Sequence, residues 1–190
     1  MLKRVLIIII CVSVLLCGAS CGKEANQTGD STGSGSSELM PDDFSFSIVW
    51  NVFGISSYDS ETGKLVKTKD ATDINKYTTY LNLTKEELNA VYRLLFVDIN
   101  ITEYPDTYDP FNAPDAENKF MSAPDQTIII TATANGKTKT VSCESIALGT
   151  LDDCYCEEAR AFWTVKDEIV DMITSSPEWE ALPEYEFFYD

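Results

Sequence analysis

Asn135-Gly136 lies between two β-rich runs within Thr127 to Ser142. An Asn-Gly pair readily takes positive φ at both central positions of a type I′ turn, whose twist matches the strands it joins. A two-residue turn pairs Ala134 with Lys137 and, counting outward, Thr131 with Thr140, Ile130 with Val141 and Ile128 with Cys143. Ile128, Ile130, Ala132, Val141 and Cys143 then share one face, and Thr131, Thr133, Thr138 and Thr140 share the other. A slip of one residue would carry the apolar set into water, so the pattern enforces its own register.

Around this hairpin the rest of the domain can be placed. Phe44, Phe46, Ile48, Trp50 and Val52 alternate with Ser45, Ser47 and Asn51, the period of a half-buried strand. That strand is expected to continue through Ile55-Ser56-Ser57-Tyr58. Ser60-Glu61-Thr62-Gly63 suits a type I turn closed by a left-handed glycine. Lys64 to Thr68 returns as the second arm, and Tyr77 to Asn82 reads as a further strand by composition. Thr84 and Glu87 have the spacing of a capping box, and Leu83 and Leu88 that of a hydrophobic staple. Leu88, Val91, Tyr92 and Leu95 follow at helical spacing, which predicts a helix from Lys85 to Val97.

Pro105, Pro110, Pro114 and Pro124 make residues 102–126 a long irregular loop, a kind of segment that often carries function. A second helix is expected within Asp152 to Thr174, with Tyr155, Ala159, Phe162, Val165, Ile169 and Met172 as its apolar stripe. The tail from Pro177 holds Trp179, Leu182, Tyr185, Phe187 and Phe188, too apolar to be left in water, so it should pack on the domain or offer a binding edge. Hairpins dominate and no strand–helix–strand unit recurs. The expected class is α+β, a mostly antiparallel sheet built from hairpins with two helices covering one face.

Charge and missing residues narrow the chemistry. The chain carries 14 Lys and Arg against 31 Asp and Glu, a net of −17. Such a surface repels phosphate backbones, so nucleic acid is not an expected partner. It also repels anionic lipid headgroups. Attachment to a membrane would therefore need covalent lipid. There is no histidine, which removes Ser-His-Asp and Cys-His catalysis and His-containing zinc sites. No G-x-S-x-G elbow, S-x-x-K motif, phosphate loop or dinucleotide fingerprint occurs, and no cofactor is expected.

The N-terminus supplies the lipid argument. Lys3 and Arg4 precede an apolar run, Val5 to Leu16, interrupted only by Ser13. That run of 12 residues is short of the roughly 20 that span a bilayer, and it has the layout of a secretory signal. Gly18-Ala19-Ser20 then leads into Cys21. The ordering resembles the lipobox of bacterial lipoproteins, although Gly18 stands where that family usually has an aliphatic residue. The resemblance implies a signal peptide over residues 1–20, cleavage before Cys21 and a membrane anchor through lipid on Cys21. Residues 21–40 are rich in Gly, Ser and Thr and read as the lipidated Cys and a flexible linker. Such a linker would span roughly 25 Å r.m.s.. Residues 41–190 read as a single globular α+β domain.

Two sets of candidate residues remain in that domain. Cys143 faces the core in the hairpin register, and Cys154 lies near the apolar edge of the expected last helix. They are the expected disulfide pair of an exported domain, worth about 3 kcal/mol in the chain-entropy model, with Cys156 left free. Asp106, Asp109, Asp115 and Glu117 lie in the proline-rich loop with Asn112 and Asn118, oxygen ligands of the type that hold Ca²⁺, though not at EF-hand spacing. Two functional readings fit. One is a tethered, non-enzymatic module of the cell envelope that binds a protein, peptide or glycan. The other is a small carboxylate-based or metal-assisted envelope hydrolase. Mass spectrometry of the membrane fraction is expected to find mature protein beginning at a lipid-modified Cys21. Cys21→Ala should lose the lipid and fail to mature, and a mature N-terminus elsewhere with Cys21 unmodified would contradict the assignment.

Overall fold

The computed structural model describes residues 40–69 and 76–186. The signal-like start, Cys21, the linker before Met40, and Phe187 and Phe188 lie outside the described residues. Six strands form one antiparallel sheet: β1 (Ser45–Trp50), β2 (Ser56–Asp59), β3 (Lys64–Lys67), β4 (Tyr77–Tyr80), β5 (Gln126–Ala134) and β6 (Lys137–Ile146). Their spatial order is β4-β3-β2-β1-β5-β6. Helix α1 (Lys85–Tyr92) follows β4, α2 (Glu157–Thr174) follows β6, and the short α3 (Pro177–Glu180) comes last. The architecture is the α+β class expected from hairpin patterning.

The β5–β6 hairpin has the register read from the sequence: Ala134 opposes Lys137, Thr131 opposes Thr140, Ile130 opposes Val141 and Ile128 opposes Cys143. Asn135 and Gly136 both have positive φ, 53° and 69°. The threonine face is tied across the strands by Thr131–Thr140 and Thr133–Thr138 hydroxyl pairs, each at 2.9 Å. The apolar face is buried, with Ile130, Ala132, Val141 and Cys143 at 0% exposure. Strand β1 lies against β5 with Ile48 opposite Ile130, and Phe44, Phe46, Ile48 and Trp50 join the same core.

One expected strand is instead a turn. The chain does not run straight from Val52 into Tyr58. Asn51, Phe53 and Gly54 all have positive φ, and β2 folds back antiparallel on β1, pairing Trp50 with Ser56. The Asn51 side chain stabilises the corner by accepting the N–H of Val52 at 2.8 Å. The next turn follows the sequence reading: Gly63 has φ +70° and Asp59 opposes Lys64. A Cβ at Gly63 would also lie 2.9 Å from Leu81 O, so this position excludes side chains on two grounds.

The capping box of α1 is complete. Thr84 Oγ1 accepts the Glu87 N–H at 3.2 Å, and Glu87 Oε2 accepts the Thr84 N–H at 2.7 Å. Beyond Tyr92 the helix continues to Asp98 with wider, π-type winding. Helix α2 begins later than expected. Thr150 and Asp153 cap a separate single turn, Leu151–Asp153, and Cys156 is the N-cap of α2. Tyr155 therefore precedes the helix and is 39% exposed, whereas Ala159, Phe162, Val165 and Ile169 are buried as the stripe requires.

The tail packs on the sheet. Trp179 meets Trp50 at 5.5 Å between ring centroids and Tyr185 at 6.0 Å. Lys67, only 3% exposed, sets its Nζ 4.4 Å from the Trp179 ring centroid and 4.3 Å from that of Tyr185. Burial lowers the pKa of Lys67, and the Glu184 carboxylate acts in the opposite direction. The two ring faces offset part of that desolvation cost. Tyr185 hydroxyl and Ser56 Oγ stand 2.5 Å apart, and the Glu186 N–H donates to Lys69 O at 2.9 Å.

Asp43 fastens the far end of the sheet. Its carboxylate accepts the N–H of Gly136 at 2.6 Å and of Asn135 at 2.9 Å. These two bonds, Gly136 first, hold its carboxyl below the ordinary 3.8. A depressed folded-state pKa gives stability that is present above the unfolded value and lost as pH falls through the folded one. Asp43→Ala is therefore expected to have a lower urea midpoint than the parent near neutrality. The gap should close as pH falls below about 4. A gap independent of pH would show that the carboxylate charge contributes nothing.

Candidate functional site

Aromatic side chains fix the start of the proline-rich loop. Tyr104, Tyr108 and Phe111 are buried, and both tyrosine rings lie 5.3 Å from the Phe162 ring of α2, while Phe111 lies 4.7 Å from Trp163. The backbone then borrows the edge of β6: Ser142 N–H donates to Asp106 O at 2.8 Å, and Tyr108 N–H donates to Ser142 O at 2.9 Å. This seals part of an otherwise open strand edge. Asn112 staples the loop across its width. Its Nδ2 donates to Asp109 at 2.8 Å and to Phe120 O at 3.0 Å, and its Oδ1 accepts the Phe120 N–H at 2.6 Å. Ser122 Oγ accepts the Leu148 N–H at 2.7 Å, joining the loop to the segment after β6. Gly149 permits that approach, since a Cβ there would lie 2.6 Å from the Phe111 ring.

Between this loop, the end of β6 and the turn into α2 lies a cleft of about 500 Å³. Phe120, Met121 and Tyr155 line it, exposed by 42%, 77% and 39%. Leu148 and Leu151, also exposed, belong to the adjoining segment. Five of the eight large apolar side chains exposed among the described residues thus belong to the loop and the segment that frame this cleft. Asp109, Glu144 and Glu158 also line it, against the single cation Lys119. Tyr108 lines it as well. Its hydroxyl is buried, with the Tyr155 hydroxyl as its neighbour. Burial first, then the neighbouring Tyr155 hydroxyl, push its pKa upward.

Two other concavities carry less. A groove of about 660 Å³ runs from the hairpin tip to the end of α1 and includes Phe96, Val97, Lys137 and Lys139. Another of about 530 Å³ lies between α1 and α2 with Arg93, Asp98, Glu168 and Asp171 on its walls. Of the exposed large apolar side chains, only Val97 lines either one.

The structure does not bring the four loop carboxylates together. Asp106 pairs with Lys139 at 2.6 Å, and Asp109 accepts the Phe111 N–H at 2.9 Å along with the Asn112 amide. Asp115 and Glu117 are exposed and do not line the cleft. Among the described residues no group of three Cys, Asp or Glu side chains could hold a metal ion. Local bonds to Lys139 and Asn112 engage Asp106 and Asp109, whereas Asp115 and Glu117 stay exposed.

Cys143, Cys154 and Cys156 are free thiols in this structure. The reasoning that paired Cys143 with Cys154 placed Cys154 on the last helix, but it precedes α2. Cys156 Sγ instead accepts the Ala159 N–H at 3.4 Å as the helix cap. Arg160 and Lys166 of α2 act on Cys154, yet burial outweighs them and raises its pKa. Burial, with a smaller push from Asp109, raises Cys143 to about 12. A maleimide is expected to modify Cys156 first in the native protein and Cys143 only after denaturation. Equal labelling rates for the two would contradict this burial.

No protein-family model and no curated protein matches this chain.

Proposed function

We propose that this protein is a membrane-tethered, extracytoplasmic lipoprotein whose domain is a non-enzymatic binding module of the cell envelope, with the cleft beside Met121 as its ligand site. The tether is the lipid on Cys21, and the low-apolar linker gives the domain reach. The observation that carries the reading is the collection of exposed apolar side chains around one concavity. Soluble monomers seldom expose large apolar side chains in a contiguous patch unless something binds there. Aromatic residues and Met beside a few polar groups are the usual lining of a recognition surface.

The carboxylates of the same cleft favour a second reading, an envelope hydrolase. A glycosidase needs two carboxyls facing one scissile bond, one to protonate and one to attack or activate water. Asp109 is tied to Phe111 and Asn112, and Glu144 accepts the Ser142 hydroxyl at 2.8 Å. These local bonds suit acids that shape a surface better than acids that pass a proton to a substrate.

Site-directed photo-crosslinking in intact cells tests the proposal. A photoreactive residue at position 121 of the full chain should capture a discrete adduct. The same residue at Thr131, on the threonine face of the sheet, should not. No adduct at 121, or the same adduct at both positions, would refute the cleft as the ligand site.

A further inference from the structure

Resting on the binding-module reading, we propose that the cleft takes a basic polypeptide segment of a partner protein: an aliphatic or aromatic side chain seated among Phe120, Met121 and Tyr155, flanked by Lys or Arg side chains facing Asp109, Glu144 and Glu158.

Two observations converge on that chemistry. The first is local charge. Three carboxylates and one ammonium line the cleft, so the field there favours a cation. The chain's net charge of −17 acts in the same direction at long range, speeding encounter with cationic partners and slowing it with anionic ones. The second is the apolar seat. Met121 is 77% exposed, an unbranched and adaptable side chain of the type that accommodates varied apolar anchors. Aromatic walls also receive the stems and heads of Lys and Arg. The volume of about 500 Å³ accommodates a few side chains rather than a folded domain.

The test uses the full chain in detergent micelles and fluorescence anisotropy of three labelled synthetic peptides. One alternates Lys or Arg with Leu or Phe. A twin replaces the basic residues by Glu, and another replaces the apolar residues by Ser. The basic apolar peptide should bind saturably, and each twin should bind at least about tenfold more weakly. The double variant Glu144→Lys with Glu158→Lys should lose the peptide. Glu61→Lys with Glu168→Lys, which changes net charge equally at exposed positions away from the cleft, should keep it. Met121→Ser should weaken it at an exposed position where folding is not at stake.

Equal binding of the acidic twin, or equal loss in both double variants, would overturn the proposal. So would envelope glycan fragments binding at the cleft where the basic peptide does not. If no peptide binds while position 121 still yields its crosslink in cells, the basic-segment chemistry fails and the binding-module reading stands. If the crosslink is also absent, both fail.

Discussion

The pairing of β1 with β5 holds the domain together. It sets Ile48 against Ile130, both fully buried, and joins two hairpin systems that are far apart along the chain. On one side of this seam lie β2, β3 and β4, and on the other lies β6. All the helices cover the same sheet face, because alternation on both strands sends Phe46, Ile48, Ile130 and Ala132 in one direction. The opposite face keeps its serines and threonines. The seam closes a long loop, so its contacts must offset a large entropy cost before any local hairpin benefits from it.

Local chemistry was legible where one side chain makes one decisive bond. The Asn135-Gly136 turn, the Gly63 turn and the Thr84–Glu87 capping box could each be read from a few neighbouring residues, and each determines its own geometry. Boundaries were lost where unusual residues took those roles. Asn51 and Phe53 adopt positive φ without being glycine, so an apolar run that looked continuous turns a corner. Cys156 caps α2 with its sulfur, a role that capping preferences assign to Ser, Thr, Asp or Asn. Misplacing that start by one turn put both Cys154 and Cys156 on a helix that begins only after them, although Cys154 is the more buried of the two, as expected.

The cleft was only half legible. Proline spacing marked the loop, but not what it packs on. Tyr104, Tyr108 and Phe111 recur at helix-like intervals in a segment that is not helical, and their burial against α2 is a tertiary fact. Reading the loop as acidic drew attention to Asp106 and Asp115, whereas the residues that distinguish it are Phe120 and Met121. Glu144 and Tyr155 come from other parts of the chain, and the edge bonding between Ser142 and the loop, with the Tyr155 N–H donating to Pro110 O at 3.1 Å, brings them alongside.

Lysine is the residue a sequence reading most readily assigns to water, yet two of them are buried here against tryptophan. Lys166 lies 3.6 Å from the Trp163 ring centroid and pairs with Asp167. Lys67 clasps the tail between Trp179 and Tyr185. Dissolved ions weaken attraction between exposed charges because they gather around them. They cannot gather around a charge that is 3% exposed and enclosed by ring faces. The attachment of the tail should therefore be far less sensitive to ionic strength than the exposed Lys69–Glu186 pair beside it. For a domain proposed to face a medium whose salt content the cell does not set, that gives a shape that holds in dilute and concentrated surroundings alike.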